Sequence, residues 1–264
     1  MKRSEFIKTA GVLSTVPFFG MANAKESNQN ENNQYLELIK YSLLPGIKQK
    51  NIEKFYNDVA IPALNRIGIS HVGVFNAVYG PDSLSLYILI PHKTLEGVFT
   101  DNEKLLADKE YLSAGEIFLH CPIDNTAFVK MEKTLLRTFD KLPFLKIPDN
   151  LINIQSRIYE LRIYQSPSAV AAKRKIEMFN EGNEIELFNT AGLQAVFFGE
   201  TIIGQQMPNL HYMLVFENME ARDKYWNQFR TNQDWLKLKS DQYYADVVSS
   251  TTDIILKPAS CSQI

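Results

Sequence analysis

The chain writes one strand twice. It reads YLELIKY at 35–41 and YELRIY at 159–164, and setting Glu37 over Glu160 places Tyr41 over Tyr164. A helix-like stretch follows in each copy, IKQKNIEKFYNDVAIPALNRI in the first and SAVAAKRKIEMFNEGNEIELFNTA in the second. Next, IGISHVGVFNAVYG stands over AGLQAVFFGETIIG, with Gly68 over Gly192 and Gly80 over Gly204. SLYILI then faces HYMLVF, and DKEYL at 108–112 faces NQDWL at 232–236. The offset stays between about 123 and 126 residues throughout, which chance matches could not sustain over so many elements. The chain is an internal duplication.

Each copy predicts strand, helix, strand, strand, helix and closing strand. The closing strands fall around TAFVKMEKTLLRTF and YYADVVSSTTDIIL, both rich in β-branched or aromatic residues. That order is the ferredoxin-like βαββαβ unit. The predicted fold class is α+β. One such sheet carries helices on a single face, and its bare face needs a cover. Two tandem units in one chain cover each other as a barrel with helices outside, and the short linkage favours pairing within the chain. The first unit spans 34–142 and the second 157–258. Between them, KLPFLKIPDN carries Pro143 and Pro148, which marks a linker over 143–156.

The N-terminus reads as an address. MKRSEFIKTA is a short basic start, GVLSTVPFFGM is apolar, and Ala22-Asn23-Ala24 is a small-x-small cleavage site. The apolar run is too short to span a membrane. Residues 1–24 are thus expected to be an export signal of Sec type, or of a degenerate twin-arginine type in which Ser4 replaces the second arginine. The alternative is an amphipathic start belonging to the fold. A polar leader at 25–33 follows, and the mature protein is expected in the periplasm or secreted. Two cysteines, Cys121 and Cys261, make no disulfide framework, whether bridged or free. A net charge of −2 with 22% charged residues gives no electrostatic basis for nucleic acid or an anionic membrane.

Strand parity sorts the candidate site residues. Tyr159, Leu161 and Ile163 share one face, and Glu160, Arg162 and Tyr164 the other. The apolar set is expected under the helices and the polar set in the barrel. In the first copy, Glu37, Ile39 and Tyr41 would join the polar set there. A buried carboxylate needs a partner, and Arg162 is the natural one for Glu160. The pair either pins the half-barrels together or holds a ligand, with Glu37, Tyr41, Glu160, Arg162 and Tyr164 as candidate ligand-binding residues. Glu160 and His71 are the candidate bases, His71 being read into a strand opposite Val72 and Val74. Trp226 and Phe229, three apart on one helix face, read first as core. Phe197-Phe198 and Tyr243-Tyr244 are adjacent pairs in predicted strands, one member facing the helices and the other the barrel. No HExxH or CxxC appears, and nothing resembles GxGxxG, a P-loop or GxSxG. No metal or cofactor is therefore expected.

At YELRIY, the Gly-Leu strand start, FENMEARDKYWNQFRTNQDWLK and the β-rich end, the second copy resembles a NIPSNAP domain. The first copy matches more weakly: Ile39 stands at the Arg162 position, and the W-x-x-F piece is missing. The resemblance implies the dimeric α+β barrel superfamily, with no settled activity for bacterial members. Members of that superfamily include cofactor-independent monooxygenases and isomerases. Two readings follow. One is an exported small-molecule-binding barrel or cofactor-independent enzyme; the other is a non-enzymatic barrel whose surface or homodimer interface binds a partner.

Overall fold

A computed structural model of the chain describes residues 33–43, 47–81, 84–147 and 149–264. The proposed signal and all but the last residue of the proposed leader lie outside them. The first copy runs β1 (Tyr35–Ser42), α1 (Ile47–Phe55), α2 (Ile61–Arg66), β2 (Gly73–Tyr79), β3 (Ser85–His92), α3 (Leu95–Ala107), α4 (Lys109–Ala114), α5 (Glu116–Leu119) and β4 (Lys130–Thr138). The second runs β5 (Ile158–Gln165), α6 (Ala169–Asn180), α7 (Glu184–Thr190), β6 (Gln194–Ile203), β7 (Asn209–Phe216), α8 (Met219–Thr231), α9 (Gln233–Lys239) and β8 (Ser250–Pro258).

These strands close into one antiparallel barrel, in the order β1-β3-β2-β8-β5-β7-β6-β4. Each half keeps its ferredoxin-like order, and β2–β8 and β4–β6 join the halves, so a single chain completes the barrel. The expected helices form but break where their sequences require it. Between α1 and α2, Tyr56–Ala60 makes a π-helical turn just before Pro62, which has no N–H to give the preceding turn. The α6–α7 stretch breaks at Gly182-Asn183, where Asn183 takes a left-handed φ of 60°. Tyr243 and Tyr244 depart from the sequence reading: they lie in a 3-10 turn, and β8 starts only at Ser250. Asp241 caps that turn by accepting from the Tyr243 N–H.

The core has three parts. Leu36, Leu38, Phe75, Leu89, Tyr159, Leu161, Phe197 and Met213 belong to the cluster filling the barrel. Ile39 and Tyr41 pack under the first copy's helices, and Phe198, Tyr212 and Trp226 under the second's. The expected facing is therefore reversed. Tyr159, Leu161 and Ile163 point into the barrel, while Glu160, Arg162 and Tyr164 point at the helix layer, as do Glu37, Ile39 and Tyr41. An eight-stranded barrel is just wide enough for side chains to fill. Its centre takes the apolar set, and charged groups reach water through the more open layer between sheet and helices.

Candidate functional site

Under the first copy's helices lies a cavity of about 330 Å³, lined by residues of β1, β3 and β4 and of the helices above them. Glu37 is at its polar end. Its Oε1 pairs with Lys133 Nζ at 2.5 Å, and its Oε2 lies 3.4 Å from His92 Nε2. Asp101 Oδ2 meets His92 Nδ1 at 3.0 Å on the far side, and Lys104 Nζ donates to Asp101 Oδ1 at 2.7 Å. One imidazole, 3% exposed, thus bridges two carboxylates. The Glu37 contact lacks hydrogen-bond geometry, which leaves the buried His92 Nε2 without a bonded partner. Burial pushes the Glu37 carboxyl up, but His92 and Lys133 outweigh it and hold the group below its ordinary value. For Asp101, likewise, Lys104 and His92 outweigh burial.

The rest of the cavity is lined by aromatic and aliphatic side chains. Tyr41 Oη lies 3.2 Å from Tyr56 Oη, and burial raises the pKa of both phenols. Burial also takes the Tyr111 phenol up to about 12. All three remain hydroxyl donors at neutral pH. Phe55 and Phe118 stack at 4.0 Å. Both also line an outer groove of about 430 Å³, as does Cys121, so the cavity and the groove share a wall.

The second copy fills the equivalent space. Glu160, fully buried, accepts from Arg222 Nε at 3.0 Å and Nη2 at 2.7 Å, Arg162 Nη1 at 3.0 Å and Trp226 Nε1 at 2.7 Å. Arg162 also pairs with Asp253 at 3.1 Å and lies over the Trp226 ring. Tyr164 receives a hydrogen bond from Tyr212, and Lys175 pairs with a buried Glu184. In the duplicated register Val98 and Asn102 stand where the second copy has Arg222 and Trp226, and His92 stands where it has Phe216. Small side chains at those two positions leave the first copy's volume open.

The five proposed ligand residues therefore separate. Glu37 and Tyr41 line the cavity, while Glu160, Arg162 and Tyr164 belong to the filled network of the other half. His71 joins neither: it is exposed, left-handed at φ 64°, and precedes β2 rather than lying in it. Its Nδ1 lies 3.1 Å from Ser70 Oγ. His92 and Asp101 escaped the sequence reading, because their approach to Glu37 depends on α3 folding over β1. Trp226 packs in the core as expected, and its indole N–H additionally holds Glu160. Cys121 and Cys261 are free thiols. Among the described residues, no cluster of three or more His, Cys, Asp or Glu is placed to hold a metal, and no helix is long and apolar enough to cross a membrane.

Two βαββαβ halves closing one eight-stranded barrel, with the candidate cavity between sheet and helices, define a dimeric α+β barrel protein carried on a single chain. Within its second half, residues 159–263 match the NIPSNAP family model. A "putative monooxygenase" from Lactobacillus acidophilus superposes with a TM-score of 0.56 at 9% identity, covering 86% of this chain and 94% of that one. A second protein of the same description, from Fusobacterium nucleatum, gives 0.53 at 11% identity, covering 86% and 92%. At these identities the likeness concerns the fold. A NIPSNAP family protein of unknown function from Agrobacterium tumefaciens is 22% identical, over 40% of this chain and 90% of its own, with a TM-score of 0.34. No curated protein matches the chain.

Proposed function

We propose that the chain is an exported protein that binds a small organic molecule in the first copy's cavity and acts on it by proton transfer without a resident cofactor. The observation that carries this reading is the asymmetry of the duplication. The same interlayer space is occupied by Arg222, Trp226 and Arg162 in one half. In the other it is open and lined by a Glu37–His92–Asp101 chain and three phenols. A volume of this size, mostly apolar with a few convergent polar groups, suits a small ligand.

The roles follow from the geometry. Glu37, ionised at neutral pH, takes a proton from an acidic C–H or O–H of the substrate. His92 stabilises the carboxylate, and Asp101 holds the imidazole by its Nδ1. The hydroxyls of Tyr41, Tyr56 and Tyr111 donate to the oxygen on which negative charge develops. Return of the proton to another carbon of the substrate completes an isomerisation. Reaction of the same anion, formed at a CH2 carbon, with dioxygen is the monooxygenase-like outcome: a C–O bond forms to give a hydroperoxide, whose O–O bond breaks with loss of water to leave a carbonyl, the substrate supplying the electrons. The substrate class is a small, largely apolar compound bearing a phenol or an enolisable carbonyl. A partner-binding role draws instead on Ile117 and Ile123, 92% and 95% exposed.

Asn102→Trp tests the reading by building into the first copy the indole that fills the second. In native mass spectrometry and thermal shift against phenols and cyclic ketones, the wild type should bind and Asn102→Trp should not, at comparable melting temperature. Binding that persists in Asn102→Trp, or no binding by the wild type, overturns the assignment. Export predicts an N-terminus beginning after Ala24 in the exported fraction, and an uncleaved chain retained in the cell overturns that part.

A further inference from the structure

The two ends of the barrel differ. One is stoppered from within the chain. Leu145, Ile147, Leu151 and Ile154 of the segment joining the copies pack against the barrel core, and Ile264, fully buried, enters it beside Phe75. The N–H of Gln263 donates to the Val72 carbonyl at 2.9 Å and ties the tail in place.

The other end opens into a separate cavity of about 330 Å³. Leu38, Ile163, Pro81 and the Tyr87 ring give it apolar wall, and polar side chains supply the remainder. Lys40 and Glu132 are register partners on β1 and β4, with Nζ 3.7 Å from Oε2, and Lys130 meets Glu132 at 2.8 Å. Of these three, Lys40 and Glu132 line the cavity as one cation and one anion, and Lys130 lies outside the lining. Thr134 and Thr252 line the wall, Gln205 and Gln206 come from the β6–β7 turn, and Asn209 from the start of β7.

His211 is the unusual group. It projects inward from β7, opposite Ile163, and is 6% exposed. Its Nδ1 is buried with no hydrogen-bond partner among the described residues. Such an orphan is destabilising unless a partner is supplied. Burial pushes its pKa down to about 4, so the ring is neutral at physiological pH. A neutral imidazole, a balanced ion pair, hydroxyls and carboxamides select against a charged guest.

We propose that this mouth is a second binding site, distinct from the interlayer cavity, for a small uncharged polyhydroxylated molecule that hydrogen-bonds the His211 ring. The hydroxyls of such a molecule both donate and accept, as the Thr, Gln and Asn side chains around them do. The apolar wall takes its C–H faces.

The test is NMR of the histidine ring signals, with the His211 resonance assigned by its loss in His211→Phe. The probes are myo-inositol and D-glucose, with glycine and inorganic phosphate as charged comparisons. The expected result is a saturable shift of the His211 signal with the uncharged probes, weakened about tenfold or more in His211→Phe as read on the neighbouring backbone amides. Should His211→Phe fail to fold, Thr134→Val with Thr252→Val serves as the weakened variant. No shift with either polyol, an equal response to glycine or phosphate, or undiminished binding in the variants overturns the proposal.

Discussion

Replacing Glu160 with Ala separates a structural role from a ligand-binding one. The carboxylate is fully buried and accepts four hydrogen bonds, two from Arg222 and one each from Arg162 and Trp226. Arg222, with its side chain 20% exposed, can swing into water when the carboxylate goes. Arg162, 14% exposed, keeps Asp253 at 3.1 Å and so stays partly compensated. The indole N–H of Trp226 has no comparable escape. Removing one member of a buried charge network costs about 3–5 kcal/mol, and the two relief routes place this case near 3 kcal/mol. With a urea slope of about 1–3 kcal/mol/M, the midpoint of unfolding at pH 7 should fall by roughly 1–3 M. Trp226→Phe should cost about 2 kcal/mol, because it removes a hydrogen bond to a charge while keeping most of the ring packing. The two changes should be strongly non-additive, since they share one contact. A loss below about 1 kcal/mol for Glu160→Ala, or simple additivity, would refute this account. Loss of a bound small molecule at unchanged stability would return Glu160 to the ligand site.

Two further outcomes follow from burial. His211 has a folded pKa of about 4 against 6.5 for an exposed imidazole. Between these values the unfolded chain binds a proton that the native state refuses, so stability falls on acidification by up to about 1.4 kcal/mol per pH unit. Above pH 6.5 the group contributes no slope. Urea midpoints measured from pH 7 to 4.5 should thus decline more steeply for the wild type than for His211→Phe, and equal slopes would contradict a buried neutral ring. Ile264→Ala should cost about 2–4 kcal/mol by hollowing the stoppered end of the barrel. A change under about 1 kcal/mol in its denaturation midpoint would mean that the tail does not plug the barrel.

The architecture was legible because a duplication repeats its own evidence. Period-2 apolar runs, Gly68 over Gly192 and a constant register each point to the same βαββαβ unit twice, and a lone sheet face demands a partner. The facing of β1 and β5 was not legible. Alternation separates Tyr159 from Glu160, but both faces of these strands are covered, one by the opposite sheet and one by helices. Parity cannot say which cover is which. His71 misled for a related reason: its neighbours Val72 and Val74 are strand-like, yet the chain turns left-handed at position 71 before entering β2.

The sequence by itself determined the two copies, their strand and helix order, and the pairing of an acidic residue with a tyrosine on each opening strand. Those are local and periodic properties, written in spacing. Only the tertiary structure decided which copy keeps a cavity. That depends on how far side chains from one helix reach across to a strand some sixty residues away: Val98 and Asn102 leave room above Glu37, whereas Arg222 and Trp226 close the space above Glu160. The same long-range packing brings His92 and Asp101 to Glu37, and sends the tail into one end of the barrel while leaving His211 at the other.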